Sequence, residues 1–166
     1  MARKLPFGKP MHLGSAPNSS RLNLLIADGA WQDDSFAKQL PPLLSPLGVR
    51  CMAARSAAEA DRLARQQSVH IAVIDISIPG DDRLGSQEAA GARVIELLRR
   101  MQRPPAMVVV RPKTPSLREH RQGLVEALAW GAFAVVDRPV GVEALLNVLH
   151  AVVARRFGDR WPGVRA

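Results

Sequence analysis

Apolar residues fall into two arrangements along the chain: short continuous runs closed by an acid or a glycine, and longer stretches in which they recur every three or four positions. Residues 22–28 are the first run, with Leu24, Leu25 and Ile26 closed by Asp28 and Gly29, and they predict a buried strand. A helix follows from a cap among Asp33, Asp34 and Ser35 toward Leu47, carrying Phe36, Leu40, Leu43, Leu44 and Leu47 at spacings near 3.6. Pro41, Pro42 and Pro46 each lack an N–H and crowd the carbonyl four residues back, so this helix is expected to kink or break before Gly48 ends it.

Residues 49–54 predict a second strand. Ser56 and Glu59 then form a capping box ahead of Ala57, Ala60, Leu63 and Ala64 on one helical face. In residues 69–75 the β-branched Ile71, Val73 and Ile74 predict a strand that stops at Asp75. The polar connection 80–87 is longer than a tight turn requires. A helix over about 88–102 places Ala92, Ile95, Leu98 and Met101 inward and ends before Pro104 and Pro105. Residues 106–110 predict the fourth strand, 111–115 a loop, 117–130 a helix stopped by Gly131, 132–137 the fifth strand, and 142–157 an amphipathic helix burying Leu145, Leu149 and Val152. Five alternating units predict an α/β fold: a doubly wound, five-stranded parallel sheet with right-handed crossovers, helices on both faces, and a site at the carboxyl ends of the strands.

Composition narrows the function classes. The 166 residues are 47% hydrophobic, enough for one well-packed domain but cramped for two. Apolar runs such as 108–110 and 133–136 are far too short to cross a bilayer, and Pro6, Pro10 and Pro17 interrupt the N-terminal segment where a secretory signal would need a continuous apolar stretch, so a cytoplasmic protein is expected. The net charge of +8 is concentrated at the ends: residues 1–21 hold four basic and no acidic groups, residues 154–166 carry +3, and +1 is left for 22–153. A nearly neutral core argues against a nucleic-acid-binding face, leaving weak anionic contacts to the tails. The organisation expected is a flexible basic arm over 1–20, a domain over 21–154 and a basic tail over 155–166.

Little chemistry is available outside the acids. Cys51, the single cysteine, excludes an intrachain disulfide and reads as a core thiol, and His12, His70, His120 and His150 have no metal-ligand spacing. Trp31, Trp130 and Trp161 read as packing residues, and Arg99, Arg100 and Arg103 as a solvated helix face. A small hydrolase or nucleotide-binding enzyme would need a glycine-rich phosphate loop or a nucleophile elbow, and neither motif occurs. By itself, Asp75 at a strand end reads more readily as a cap of the turn that follows than as a reactive group.

The segment Val73-Ile74-Asp75-Ile76-Ser77-Ile78-Pro79-Gly80 resembles the phosphoacceptor strand and turn of response-regulator receiver domains in two-component signalling. Leu24 to Asp28 resembles that family's first strand ending in an acid, and Val136-Asp137-Arg138-Pro139 resembles its fifth strand and Lys-Pro signature. The resemblance spans roughly residues 21–154. It implies a flavodoxin-like sheet of order 2-1-3-4-5 in which Asp28 and Asp75 meet at the carboxyl edge. It further implies Mg²⁺ held by Asp28, Asp75 and the backbone carbonyl of Ser77, with Asp75 as nucleophile toward phosphorus and Arg138 pairing with the phosphoryl group in place of lysine.

Several positions depart from that pattern. Gly29 stands where the family carries a second metal-binding acid, with Asp33 and Asp34 the nearest replacements; Val110 stands where it carries a hydroxyl, and Val135 where it carries an aromatic switch residue. Two readings therefore stand side by side. One is a stand-alone receiver in a phosphorelay, not an enzyme, phosphorylated on Asp75 by a histidine kinase or phosphotransfer protein and read by a separate effector protein. The other is a phosphorylation-independent pseudo-receiver, a protein-binding module that keeps the fold but has lost efficient phosphotransfer through Gly29 and Val110; separately, the plain structural reading of Arg138 is an ion pair with Asp75 or Asp28 that holds the site closed without phosphate.

Overall fold

The computed structural model describes residues 22–29, 35–81, 89–113 and 116–158. Within them the β-branched and leucine runs form β1 (Leu22–Ala27), β2 (Val49–Ala54), β3 (Ile71–Asp75), β4 (Ala106–Arg111) and β5 (Ala134–Asp137), joined in parallel in the order β2-β1-β3-β4-β5. Five helices alternate with them: α1 (Phe36–Leu44), α2 (Ala57–Gln66), α3 (Gly91–Arg99), α4 (Leu117–Ala129) and α5 (Val142–Arg156). The doubly wound parallel sheet read from the residue pattern and the strand order implied by the family resemblance are both present.

Period-two alternation on the strands divides the core in two. Leu22, Leu24 and Ile26 of β1, with Val108 and Val110 of β4, pack against Phe36, Leu40 and Leu44 of α1 and Leu145, Leu149 and Val152 of α5. Leu25, Ala27, Ile74, Met107 and Val109 point the other way, onto Ala60 and Ala64 of α2, Val94, Ile95 and Leu98 of α3, and Ala127 of α4. The central strands β1, β3 and β4 are buried along their whole length, whereas every residue of the edge strand β5 is only half-buried. Burial on both faces accounts for the absence of polar alternation in β1, β3 and β4.

Helix α1 runs through Pro41 and Pro42, where a break was expected, and gives way only at Leu44 to a 3-10 turn over Ser45–Leu47, with Gly48 at φ 81° closing it. Each of the two interior prolines costs about 3 kcal/mol. Burial of Phe36, Leu40 and Leu44 contributes roughly 1.5–3 kcal/mol each, a total of the same size that offsets the two prolines and keeps the helical path. Other boundaries shift by a few residues. β1 stops at Ala27, one residue before Asp28; β3 begins at Ile71 and β5 at Ala134; α3 covers Gly91–Arg99, with Ala92 exposed where it was expected inward. Arg111, expected in a loop, is the last residue of β4 and is buried.

The capping box of α2 forms as read: the Glu59 amide donates to Ser56 Oγ at 3.1 Å, and Glu59 Oε2 accepts from the Arg55 amide at 2.9 Å. Among the described residues no helix is long and apolar enough to cross a membrane. The basic arm over 1–20, Trp31, the cap candidates Asp33 and Asp34, Trp161 and most of the connection 80–87 lie outside the described residues.

Candidate functional site

Parallel strands carry their last residues to one edge of the sheet, and the order β2-β1-β3-β4-β5 makes β1 and β3 neighbours. Asp28 follows β1 directly and anchors there through its amide, which donates to the Ala54 carbonyl at 3.0 Å. Asp75 ends β3. Both acids are buried, Asp28 at 0% and Asp75 at 4% exposure. Arg138 follows β5, its amide donating to the Arg111 carbonyl at 2.9 Å, in a cis Arg138–Pro139 peptide.

From there the Arg138 side chain reaches both acids. Its Nη2 lies 2.5 Å from Asp75 Oδ2 and 3.2 Å from Asp28 Oδ1, and the guanidinium rests over the Phe36 ring at 5.5 Å. The remaining oxygen of each acid is also engaged. Ser35 Oγ donates to Asp28 Oδ2 at 3.1 Å while accepting from the Ala37 amide at the start of α1, and the Ser77 amide donates to Asp75 Oδ1 at 2.8 Å in an Asx turn. Each carboxylate oxygen thus accepts a hydrogen bond from the protein. Buried anions demand this compensation, and one guanidinium delivers it to two strands at once.

The chain is tight around the turn after Asp75. A Cβ at Gly91 would fall on the backbone of Ile76, so only glycine lets α3 start this close to β3. At Gly29 a Cβ would stand 2.6 Å from Pro79 Cδ. Pro79 has little freedom to retreat, because its carbonyl accepts from the Ala57 amide at 2.8 Å and it forms a β-bridge with Ala89. An acid at position 29 itself therefore has no room beside Asp28.

These features decide whether the implied Mg²⁺ fits. A magnesium site uses one or two carboxylates with free oxygens plus water. Here each oxygen of the two acids accepts one hydrogen bond from a protein donor, a guanidinium charge lies between them, and position 29 excludes a third carboxylate. Among the described residues no cluster of three or more His, Cys, Asp or Glu side chains is placed to hold a metal. The arrangement does not fit a divalent cation as it stands. Of the residues implicated by the sequence, Asp28, Asp75 and Arg138 come together, and exposed Ser77 joins them through its amide. Val110 lies opposite Asp75 in the sheet register and offers no hydroxyl.

A second polar cluster escaped the sequence reading. Arg111 and Asp137 are register partners on β4 and β5, and Arg111 Nε meets Asp137 Oδ1 at 2.5 Å. The same guanidinium extends under α4, donating through Nη1 to the His120 carbonyl at 2.9 Å, with Nη2 3.1 Å from the His120 imidazole. Gly123 makes the passage, since a Cβ there would lie 2.7 Å from Nη1. Helix α4 buries only Ala127 fully, while Leu117, Val125 and Leu128 are exposed. The buried guanidinium is therefore a principal tie between α4 and the sheet. The available signal was a charged pair, Arg111 and Asp137, closing two otherwise apolar strands. Elsewhere, Cys51 is half-buried, and burial pushes its thiol up to about 11, which agrees with a packing role.

No family model and no curated protein matches the sequence. Solved structures do match. They include a Francisella response-regulator receiver domain (18% identity, TM-score 0.62, covering 81% of this chain and 98% of that one) and the non-phosphorylated HemR receiver domain from Leptospira biflexa (17%, 0.62, 81% and 95%). A CheY-like response regulator receiver domain protein from Methanospirillum hungatei JF-1 also matches (23%, 0.57, 79% and 92%). At these identities the likeness is one of fold, and it agrees with the resemblance read from the sequence.

Proposed function

We propose that this protein is a signal-transduction module of the receiver fold that works by contacting partner proteins, without metal-dependent phosphorylation of Asp75. The observation that carries the reading is the Arg138 bridge: one guanidinium neutralises and hydrogen-bonds both buried acids, leaving them satisfied with no ligand. Gly29, crowded by Pro79, and Val110, opposite Asp75, support it by removing the second acid and the hydroxyl. The module catalyses no turnover on this reading, and its effect depends on the surface it presents.

One observation favours the phosphorelay reading, in which a histidine kinase or phosphotransfer protein donates to Asp75 and a separate effector reads the result. Asp75 ends the central strand β3 with a cationic side chain against Oδ2. In that reaction an Asp75 oxygen attacks phosphorus, the bond to the donor's leaving group breaks as the acyl phosphate forms, and Arg138 turns from the acids to the phosphoryl oxygens.

Incubation with acetyl phosphate and Mg²⁺ followed by intact-mass measurement separates the two. No added mass is expected on the native protein. A phosphoryl adduct that disappears in Asp75→Asn would overturn the proposal and establish the phosphorelay reading.

A further inference from the structure

We infer that the edge of the sheet opposite the paired acids is a docking surface for an acidic segment of a partner protein. The inference deepens the functional reading above and rests on it, by naming which surface meets the partner and what chemistry the partner brings.

In a parallel sheet with returning helices, every strand begins and every helix ends at the same edge. Arginine collects there. Arg50 stands at the start of β2, Arg99 in the last turn of α3, Arg103 just beyond it, and Arg155 and Arg156 in the last turn of α5, all of them exposed. Side-chain contacts tie these ends together: Arg50 reaches Gln67 after α2 at 3.5 Å, His70 ahead of β3 meets the Phe157 ring edge-on at 6.2 Å, and Arg155 lies over Phe133 ahead of β5 at 5.9 Å. Among the described residues none of these arginines pairs with a carboxylate. The acids nearest this edge are Asp61 and Glu96, taken by Arg65 and Arg100, and Glu126, bonded by Gln122. Asp28, Asp75, Asp137 and the first-turn Glu59, Glu119 and Glu143 lie at the other end. The low net charge of the core is thus a sum over two unlike ends. Residues 1–21, with four basic groups and no acid, join the domain at Leu22 on the arginine-rich edge.

Helix dipoles do not account for this collection. A cation in the last turn complements the dipole, but α1 and α4 end with none, and Arg50 and Arg103 lie outside any helix. Exposed guanidiniums gathered without counter-charges repel one another, and an anionic partner relieves that repulsion. Two features select a protein over a nucleic acid. Helix ends present carbonyls, so a phosphate backbone, which offers only acceptors, finds no donors here besides the arginines; a polypeptide brings N–H groups for the carbonyls and carboxylates for the guanidiniums. Leu43 and Leu47, 47% and 58% exposed just ahead of Arg50, add an apolar strip that interspersed apolar side chains of a peptide can cover and a phosphodiester cannot.

Fluorescence anisotropy on the full chain provides the test, with a labelled peptide of alternating aspartate and leucine, the same peptide with glycine for leucine, a DNA duplex and a single-stranded RNA. The native protein should bind the leucine peptide best. Arg99→Glu with Arg103→Glu should weaken it about tenfold, as two attractions become repulsions. Arg118→Glu with Arg121→Glu makes the same charge change at the exposed start of α4, on the opposite edge. A helix of 13 residues is about 20 Å long and the Debye length about 8 Å, so this second pair should leave affinity nearly unchanged. Circular dichroism melts check that both variants fold, and Arg99→Gln with Arg103→Gln repeats the measurement should the glutamates unfold α3.

Absence of binding to the leucine peptide, equal weakening by the two reversals, or no loss on replacing leucine by glycine would overturn the inference. So would tighter binding of either nucleic acid through Arg99 and Arg103. The mass measurement is independent of these outcomes. A phosphoryl adduct on a protein that still binds the peptide through this edge sinks the functional reading alone, and an unmodified protein that ignores the peptide sinks this inference alone.

Discussion

Replacing Arg111 with methionine keeps most of the apolar stem in place and deletes the guanidinium, so it isolates the contribution of the ionic tie beneath α4. Three contacts disappear: the pair with Asp137 at 2.5 Å, the bond to the His120 carbonyl at 2.9 Å, and the approach to the His120 ring at 3.1 Å. Removing one partner of a fully buried pair costs about 3–5 kcal/mol, because the other charge is stranded. The Arg111 side chain is 8% exposed but Asp137 is 35% exposed, so water recovers part of the stranded carboxylate, and about 2–3 kcal/mol is expected. That corresponds to a melting temperature lower by roughly 6–12 °C for a domain of this size. Urea unfolding of Arg111→Met, Asp137→Asn and the double variant closes a cycle whose coupling should be about 1–2 kcal/mol. Hydrogen exchange should show the larger loss of protection in α4, whose single fully buried residue is Ala127, and little change in β1 and β3. Additive single effects, with α4 no more affected than the central strands, would refute the claim that this pair ties the helix down.

Gly29→Asp, which restores the acid the receiver pattern carries, should destabilise the protein by about 1–3 kcal/mol through overpacking, since its Cβ would stand 2.6 Å from Pro79 Cδ. Pro79→Ala in the same chain should recover most of that loss, and a Gly29→Asp protein as stable as the native one would show that the turn yields. His70 gives a pH-dependent test. Burial lowers its pKa below the ordinary value, and its Nδ1 accepts from the Asn23 amide at 2.9 Å, a bond only the unprotonated nitrogen makes. Its stabilising contribution is therefore complete above the unfolded value of about 6.5 and is lost as pH falls through the lowered folded value. The stability gap between native protein and His70→Gln should thus narrow from pH 7.5 to pH 5.5, and a gap independent of pH in urea titrations would contradict this.

Much of the fold was legible before any coordinates. Continuous apolar runs in 22–28, 69–75 and 106–110 mark strands buried on both faces, and Leu145, Leu149 and Val152 mark the inward stripe of α5, because periodicity records burial directly. The acids at the ends of β1 and β3 were identifiable from the same punctuation. Boundaries were less so: whether β4 stops at Val110 or carries on to Arg111 depends on a partner on β5, and whether Pro41 breaks α1 depends on how much apolar surface the sheet covers.

The amino-acid order alone therefore determined the alternating α/β architecture, the nearly neutral core and the two acids at strand ends, since these follow from local periodicity and composition. A pair between Arg138 and one of the two acids was already a sequence expectation; tertiary structure decided that the guanidinium meets both at once and that Arg111 is matched to Asp137. Arg138 is 110 positions from Asp28 and 63 from Asp75, and Arg111 is 26 from Asp137. No periodicity encodes such pairings. They exist because parallel strands deliver their ends to a common edge, where low dielectric and lost hydration make each buried charge depend on the nearest opposite one.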